Sequence, residues 1–199
     1  LDSSGIGDTI GVAEAVRYAI DNGADIINLS FVGPANDNRL HEAITDAYEA
    51  GLIVVTAVGN GDGSGQPVDL DVAPMYPVCY ENGVGEHLVI GVGSVDEFNR
   101  LSSFSNYGSK CLDLVAPGED YVGTVVFDPA VPSFDTYYDG LWNGTSLSAP
   151  IVSGVAALLK SKYPNLSNKQ IIQFMYDSAI DVADINTSRA TDLGYGLIK

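Results

Sequence analysis

The run Leu52-Ile53-Val54-Val55-Thr56-Ala57-Val58 carries no charge and no polar alternation. Seven such residues after a helix stop belong to a strand covered on both faces. Ahead of it, Leu40, Ala43, Ile44 and Ala47 recur at i, i+3, i+4 and i+7, one apolar helix stripe. Asp37 is placed to cap that helix, and Gly51 to end it. The same unit occurs upstream, where Val12, Ala15, Val16 and Ala19 form a stripe, Asn22-Gly23 ends it, and 25–30 reads as a strand. Two helix–Gly–strand units in succession predict an α/β, three-layer sandwich: a mainly parallel sheet with helices on both faces.

The 199 residues suffice for one domain, 1–199, with a sizeable core. Hydrophobic residues make up 46 % and charged ones 18 %, a globular balance. The net charge of −17 argues against nucleic acid and anionic membrane as partners. No apolar run reaches the roughly 18 residues that span a bilayer. Because Leu1 is not an initiator Met, the natural N-terminus is expected upstream.

Further along, 59–77 is a long Gly-, Asp- and Pro-rich loop of the kind that carries function. Strands are predicted over 88–92 and 112–116, with a Ser- and Asn-rich turn over 102–109. Residues 119–142 are aromatic and acidic and predict a hairpin with an extended loop. Cys79 and Cys111 precede the two predicted strands, which leaves open a disulfide or two buried thiols. Ser167-Asn168-Lys169-Gln170 reads as a capping box for a last helix to about Ser178.

The stretch Asn143-Gly144-Thr145-Ser146-Leu147-Ser148-Ala149-Pro150 feeds an apolar helix through Leu159 that reads as buried nearly all round. Pro150 suits a first turn, where its missing N–H has no intrahelical partner. A serine there meets free amides and the positive end of the helix dipole, which favour an oxyanion formed when it attacks a carbonyl. Thr145, Ser146 or Ser148 could equally serve as an N-cap.

Gly144-Thr145-Ser146-x-x-Ala149-Pro150 resembles the nucleophile motif of the subtilases, the subtilisin-like serine peptidases. Asp25-Ile26-Ile27-Asn28-Leu29-Ser30, Val54-Val55-Thr56-Ala57-Val58-Gly59-Asn60 and Phe104-Ser105-Asn106-Tyr107-Gly108 follow in the family's order. So do Leu112-Asp113-Leu114-Val115-Ala116-Pro117-Gly118 and Gly194-Tyr195-Gly196-Leu197-Ile198, and the resemblance covers essentially the whole chain.

The resemblance implies a subtilisin-like fold and a serine endopeptidase acting through an acyl-enzyme on Ser146. It assigns the oxyanion hole to the Asn60 amide and the Ser146 N–H. It also implies an extended peptide substrate held between Gly5-Ile6-Gly7 and Ser30-Phe31-Val32-Gly33, with Ala57, Val58 and Gly59 as a pocket wall. Val32 departs from the family's glycine, which narrows the expected primary pocket. Calcium is common in the family, but no loop here has a nameable ligand set, so no cofactor and no metal residue is assigned. The resemblance further implies an extracellular setting.

The family's catalytic aspartate and histidine lie upstream of all these motifs. Only His41 and His87 exist, one reading as a solvated residue on a helix and the other as a loop residue. Asp2-Ser3-Ser4-Gly5 sits in the place of a substrate-binding segment, not of the catalytic aspartate. The chain therefore resembles the C-terminal two-thirds of a catalytic domain, truncated at the N-terminus, with little activity alone and an apolar sheet edge left open. A non-catalytic peptide-binding or scaffold domain is the alternative. A nucleotide site at Gly5–Gly11 is disfavoured by glycine spacing and the lack of a preceding strand.

Overall fold

A computed structural model describes residues 7–62, 64–132 and 135–199. Four parallel strands form the sheet in the order β1-β2-β3-β4: β1 (Ile26–Leu29), β2 (Ile53–Ala57), β3 (Ile90–Val95) and β4 (Leu114–Pro117). β3 and β4 begin two residues later than predicted, because Leu88 and Leu112 sit in the core ahead of the paired backbone.

Alternation along β2 divides the core. Ile53, Val55 and Ala57 face one cluster with Ala149, Val152 and Ala156 of α3 (Thr145–Lys162) and Ile171 and Met175 of α4 (Asn168–Ser178). Leu52 and Val54 face the other, with Ala13 and Val16 of α1 (Thr9–Asp21) and the full predicted stripe of α2 (Asn38–Glu49). Helices therefore cover both faces, as the continuous apolar strand requires. A third cluster, around Val58, Leu70, Val95 and Leu193, fills the end of the molecule.

The local signals are realised in detail. The Asp37 carboxylate accepts from the Arg39 and Leu40 amides, and Ser167 with Gln170 forms the reciprocal capping box. Gly51 leaves α2 at φ +85°, a conformation costly for any other residue. Cys79 and Cys111 are joined as a disulfide. β5 (Tyr121–Thr124) and β6 (Tyr138–Trp142) pair antiparallel as the predicted hairpin. β1 stands at a sheet edge with Ile26 and Ile27 only half buried.

Two expectations about α3 are corrected. It is buried on one face only, since Leu158 is 72 % exposed and Gly154 and Ala157 lie beside it on the outer face. It also begins at Thr145, so Pro150 lies inside it and not in the first turn. Gly144, not a hydroxyl residue, is the N-cap, and the turn is held by side chains arriving from elsewhere in the fold.

Candidate active site

Ser146 stands second in α3, where the carboxyl ends of the parallel strands open. Asn60 leaves the end of β2 and reaches the same turn. Its Oδ1 accepts from the Thr145 amide at 2.8 Å and from Thr145 Oγ1 at 2.8 Å. Both donors claim the amide oxygen, so Nδ2 is turned away from Thr145. A Cβ at Gly144 would lie 3.0 Å from Ser146 Oγ, 3.1 Å from Asn60 Nδ2 and 3.8 Å from Ser146 N. The two side-chain atoms are thus no more than about 6 Å apart, with Gly144 leaving the space between them open.

The amides of this turn are nearly all engaged. Gly144 N donates to Gly118 O at 2.8 Å, Thr145 N to Asn60, and Leu147 N to Gly144 O at 3.0 Å. Among the described residues, Ser146 N has no acceptor. Asn60 Nδ2 likewise has no acceptor among the described residues, so an open amide, an open NH₂ and a hydroxyl meet at one helix start, where the dipole favours negative charge.

Proline produces the next contact. At 150 it has no N–H for the carbonyl of Ser146, four residues back. Ser30 Oγ donates to that carbonyl instead, at 3.0 Å. Asn28 Nδ2 in turn donates to Ser30 Oγ at 2.8 Å, and Ser153 Oγ to Asn28 Oδ1 at 2.9 Å. The end of β1 is thereby tied to the serine's own peptide unit.

Gly7, Ser30, Phe31 and Val32, all predicted to meet substrate, line one open hollow of about 610 Å³ together with Gly33 and Tyr76. Gly5 and Ile6 lie outside the described residues. Val32 packs on Gly59, with its Cγ2 only 2.7 Å from where a Cβ there would stand. Ala57 and Val58, expected with Gly59 to form a pocket wall, are 2 % and 0 % exposed with their side chains in the core, so any part they take in such a wall is through backbone. Only Gly59 reaches the surface there, because a strand inside a covered sheet has no outward face.

Asn106 and Thr145 gain roles that the sequence alone does not assign. Buried Asn106 donates through Nδ2 to Val58 O, and its Oδ1 accepts from the Gly61 and Val68 amides. It thus braces the first half of the loop that follows Asn60, at residues 61 and 68. Thr145 Oγ1 donates to Asn60 and accepts from Gly59 N at 3.1 Å. Their motifs are visible in the sequence, but which groups they bind depends on segments distant along the chain.

Neither histidine lies with Ser146. His41 is half buried against Tyr80 across the sheet from α3, with Nε2 2.9 Å from Glu81 O, so it is tied to a loop and not simply solvated. His87 precedes β3, at the opposite end of the sheet from Ser146. Its Nδ1 is 3.0 Å from Asp113 Oδ1, and Asp113 Oδ2 accepts from Gly91 N. The Asp113 hydrogen bond raises the His87 pKa above its ordinary value against the opposing effect of burial. Among the described residues no group of three or more His, Cys, Asp or Glu side chains is placed to hold a metal ion, and no helix is long and apolar enough to cross a membrane.

Comparison with known proteins accords with this geometry. The Subtilase family model matches residues 1–196. Subtilisin DY of Bacillus licheniformis is 36 % identical over 184 residues, which cover 92 % of this chain and 60 % of that protein. A thermophilic serine proteinase of Bacillus sp. (strain AK1) is 36 % identical over 187 residues, covering 94 % of this chain and 40 % of its own. The chain thus spans 60 % of one relative's length and 40 % of the other's, less than two-thirds of either. The crystal structure of a cold adapted subtilisin-like serine proteinase superposes with a TM-score of 0.76 at 27 % identity, covering 98 % of this chain and 64 % of that one. That of a lanthipeptide protease shares the fold, with a TM-score of 0.79 at 24 % identity over 100 % of this chain and 66 % of the other. With a family model spanning nearly every residue and motifs that meet around Ser146, the chain belongs to the Subtilase family.

Proposed function

We propose that this chain is the nucleophile-bearing part of a secreted serine endopeptidase. Ser146 Oγ attacks the carbonyl carbon of a peptide bond and gives its proton to a base. The oxygen of the tetrahedral intermediate is held by Asn60 Nδ2 and Ser146 N–H. The C–N bond then breaks, the amine leaves with a proton, and water hydrolyses the Ser146 ester by the reverse sequence.

The observation that carries this reading is the convergence of Ser146 Oγ and Asn60 Nδ2 on the gap at Gly144. A helix cap would need only one of them. The base is neither His41 nor His87, since both are engaged away from Ser146. We place base and orienting carboxylate in a segment outside these 199 residues, in keeping with the 60 % of subtilisin DY that the chain spans. These residues alone are then nearly inactive, because a serine without its base is a weak nucleophile.

The substrate lies extended along Ser30-Phe31-Val32-Gly33 with Gly7 beside it, and Gly59 stands at the mouth of the primary pocket. The Cys79–Cys111 disulfide suits an oxidising, extracellular location. A fluorophosphonate probe on the full-length protein tests the assignment: mass spectrometry should find the adduct on Ser146, and Ser146→Ala should abolish both labelling and peptide hydrolysis. A folded full-length protein that resists the probe would mean a non-catalytic peptide-binding domain.

A further inference from the structure

The hairpin of β5 and β6 leads directly into the nucleophile turn, and its base is fixed there. Asp120 N donates to Asn143 Oδ1 at 2.7 Å, and Gly144 N to Gly118 O at 2.8 Å. Ser30, Val32 and Gly59 follow β1 and β2, whereas the hairpin follows β4, at the other edge of the sheet. Ser146 therefore lies between them. A peptide whose acyl side rests by β1 and β2 sends its leaving-group side toward the hairpin.

The surface it meets there is aromatic and acidic. Tyr137 and Tyr138 are 61 % and 66 % exposed, and Trp142 is 39 % exposed. The β5–β6 register places Asp139 opposite Gly123, and the Trp142 ring covers the same glycine, with Cζ3 3.2 Å from where its Cβ would stand. A carboxylate and an indole thus share one face within seven residues of Ser146. No Lys, Arg or His occurs between Lys110 and Lys160. Among the described residues, Glu119, Asp120, Asp128, Asp135 and Asp139 have no cationic partner.

Exposed aromatic faces and unneutralised carboxylates select the same chemistry, a cationic side chain that stacks while its charge is compensated. We infer that Trp142 and Asp139 form a subsite for a Lys or Arg side chain on the leaving-group side of the scissile bond. The substrates are then proteins with basic residues just after the cleavage point. This inference rests on the peptidase reading above, and it assigns that enzyme a specificity.

The test uses the full-length protein and quenched fluorescent peptides identical on the acyl side, with Lys, Ala or Glu at the first three leaving-side positions. A p-nitroanilide with the same acyl part, which has no leaving-side residues, serves as reference. We expect Lys peptides to exceed Glu peptides in kcat/KM by about tenfold at low salt, with the gap shrinking in about 1 M NaCl. Asp139→Asn and Trp142→Leu should each reduce that preference about threefold, and Asp139→Asn should leave p-nitroanilide hydrolysis unchanged. Indifference to leaving-side charge, or a preference untouched by Asp139→Asn, with p-nitroanilide turnover intact, overturns the subsite. Absence of p-nitroanilide turnover and of fluorophosphonate labelling together would overturn the peptidase reading beneath it.

Discussion

Ser30 Oγ donates a 3.0 Å hydrogen bond to the carbonyl of Ser146, 116 residues further along the chain. That carbonyl lacks a helix partner because residue 150 is proline. Ser30→Ala should therefore cost about 1 kcal/mol of stability, the ordinary net worth of such a bond. Pro150→Ala supplies an N–H to the same carbonyl, so the Ser30→Ala penalty should shrink in its background. A double-mutant cycle by denaturant unfolding measures that coupling, and strict additivity would show that the two residues do not share the acceptor.

Asn60→Ala removes a proposed oxyanion donor and should lower kcat of the full-length enzyme about 10²- to 10³-fold, the loss known for the corresponding change in subtilisin, with little change in KM. Thr145→Val, which deletes one of two donors holding Asn60 Oδ1, should cost less, about tenfold in kcat. Steady-state kinetics separate the two effects, and an Asn60 variant of normal kcat would remove it from the oxyanion hole.

Val32 closes over Gly59 beside the proposed primary pocket. Val32→Gly should move the preference before the scissile bond from small residues toward large apolar and aromatic ones, by about tenfold or more in relative kcat/KM. Cleavage profiles of a peptide library from wild type and variant decide it. Identical profiles would place the pocket elsewhere.

The raised pKa of His87, due first to its hydrogen bond with Asp113, links stability to pH. The fold favours the protonated ring, so this contribution is complete below the unfolded value of 6.5 and is lost as pH rises through the higher folded value. Asp113 and Glu81 face the ring, both acidic and both favouring its charge. Wild-type Tm should therefore fall relative to His87→Gln as pH rises above 6.5. Parallel Tm curves for the two proteins would mean that the pair contributes nothing through protonation.

The fold and the central serine are legible in the sequence because they rest on short-range rules. Two helix–Gly–strand units, a Ser–Gln capping box and an uninterrupted apolar strand each fit within a short window. The Ser146 and Asn60 motifs are equally local. The burial of Ala57 and Val58 is less legible, since a wall residue and a core residue look alike when both are small and apolar. The place of Pro150 inside α3 is hidden as well, because the turn at Thr145 is held by Asn60 and Gly118, residues no local pattern connects to it.

By itself the sequence determined which segments become strands and helices, how they layer, and which serine follows a glycine into a helix start. Those outcomes depend on periodicity and on backbone conformations that Gly and Pro allow or forbid. Only the tertiary structure decided which face of α3 is buried, that Ser30 serves the carbonyl freed by Pro150, and that His87 pairs with Asp113. The two hydrogen bonds join residues 116 and 26 positions apart, set by how the sheet stacks its strands and not by any neighbour along the chain.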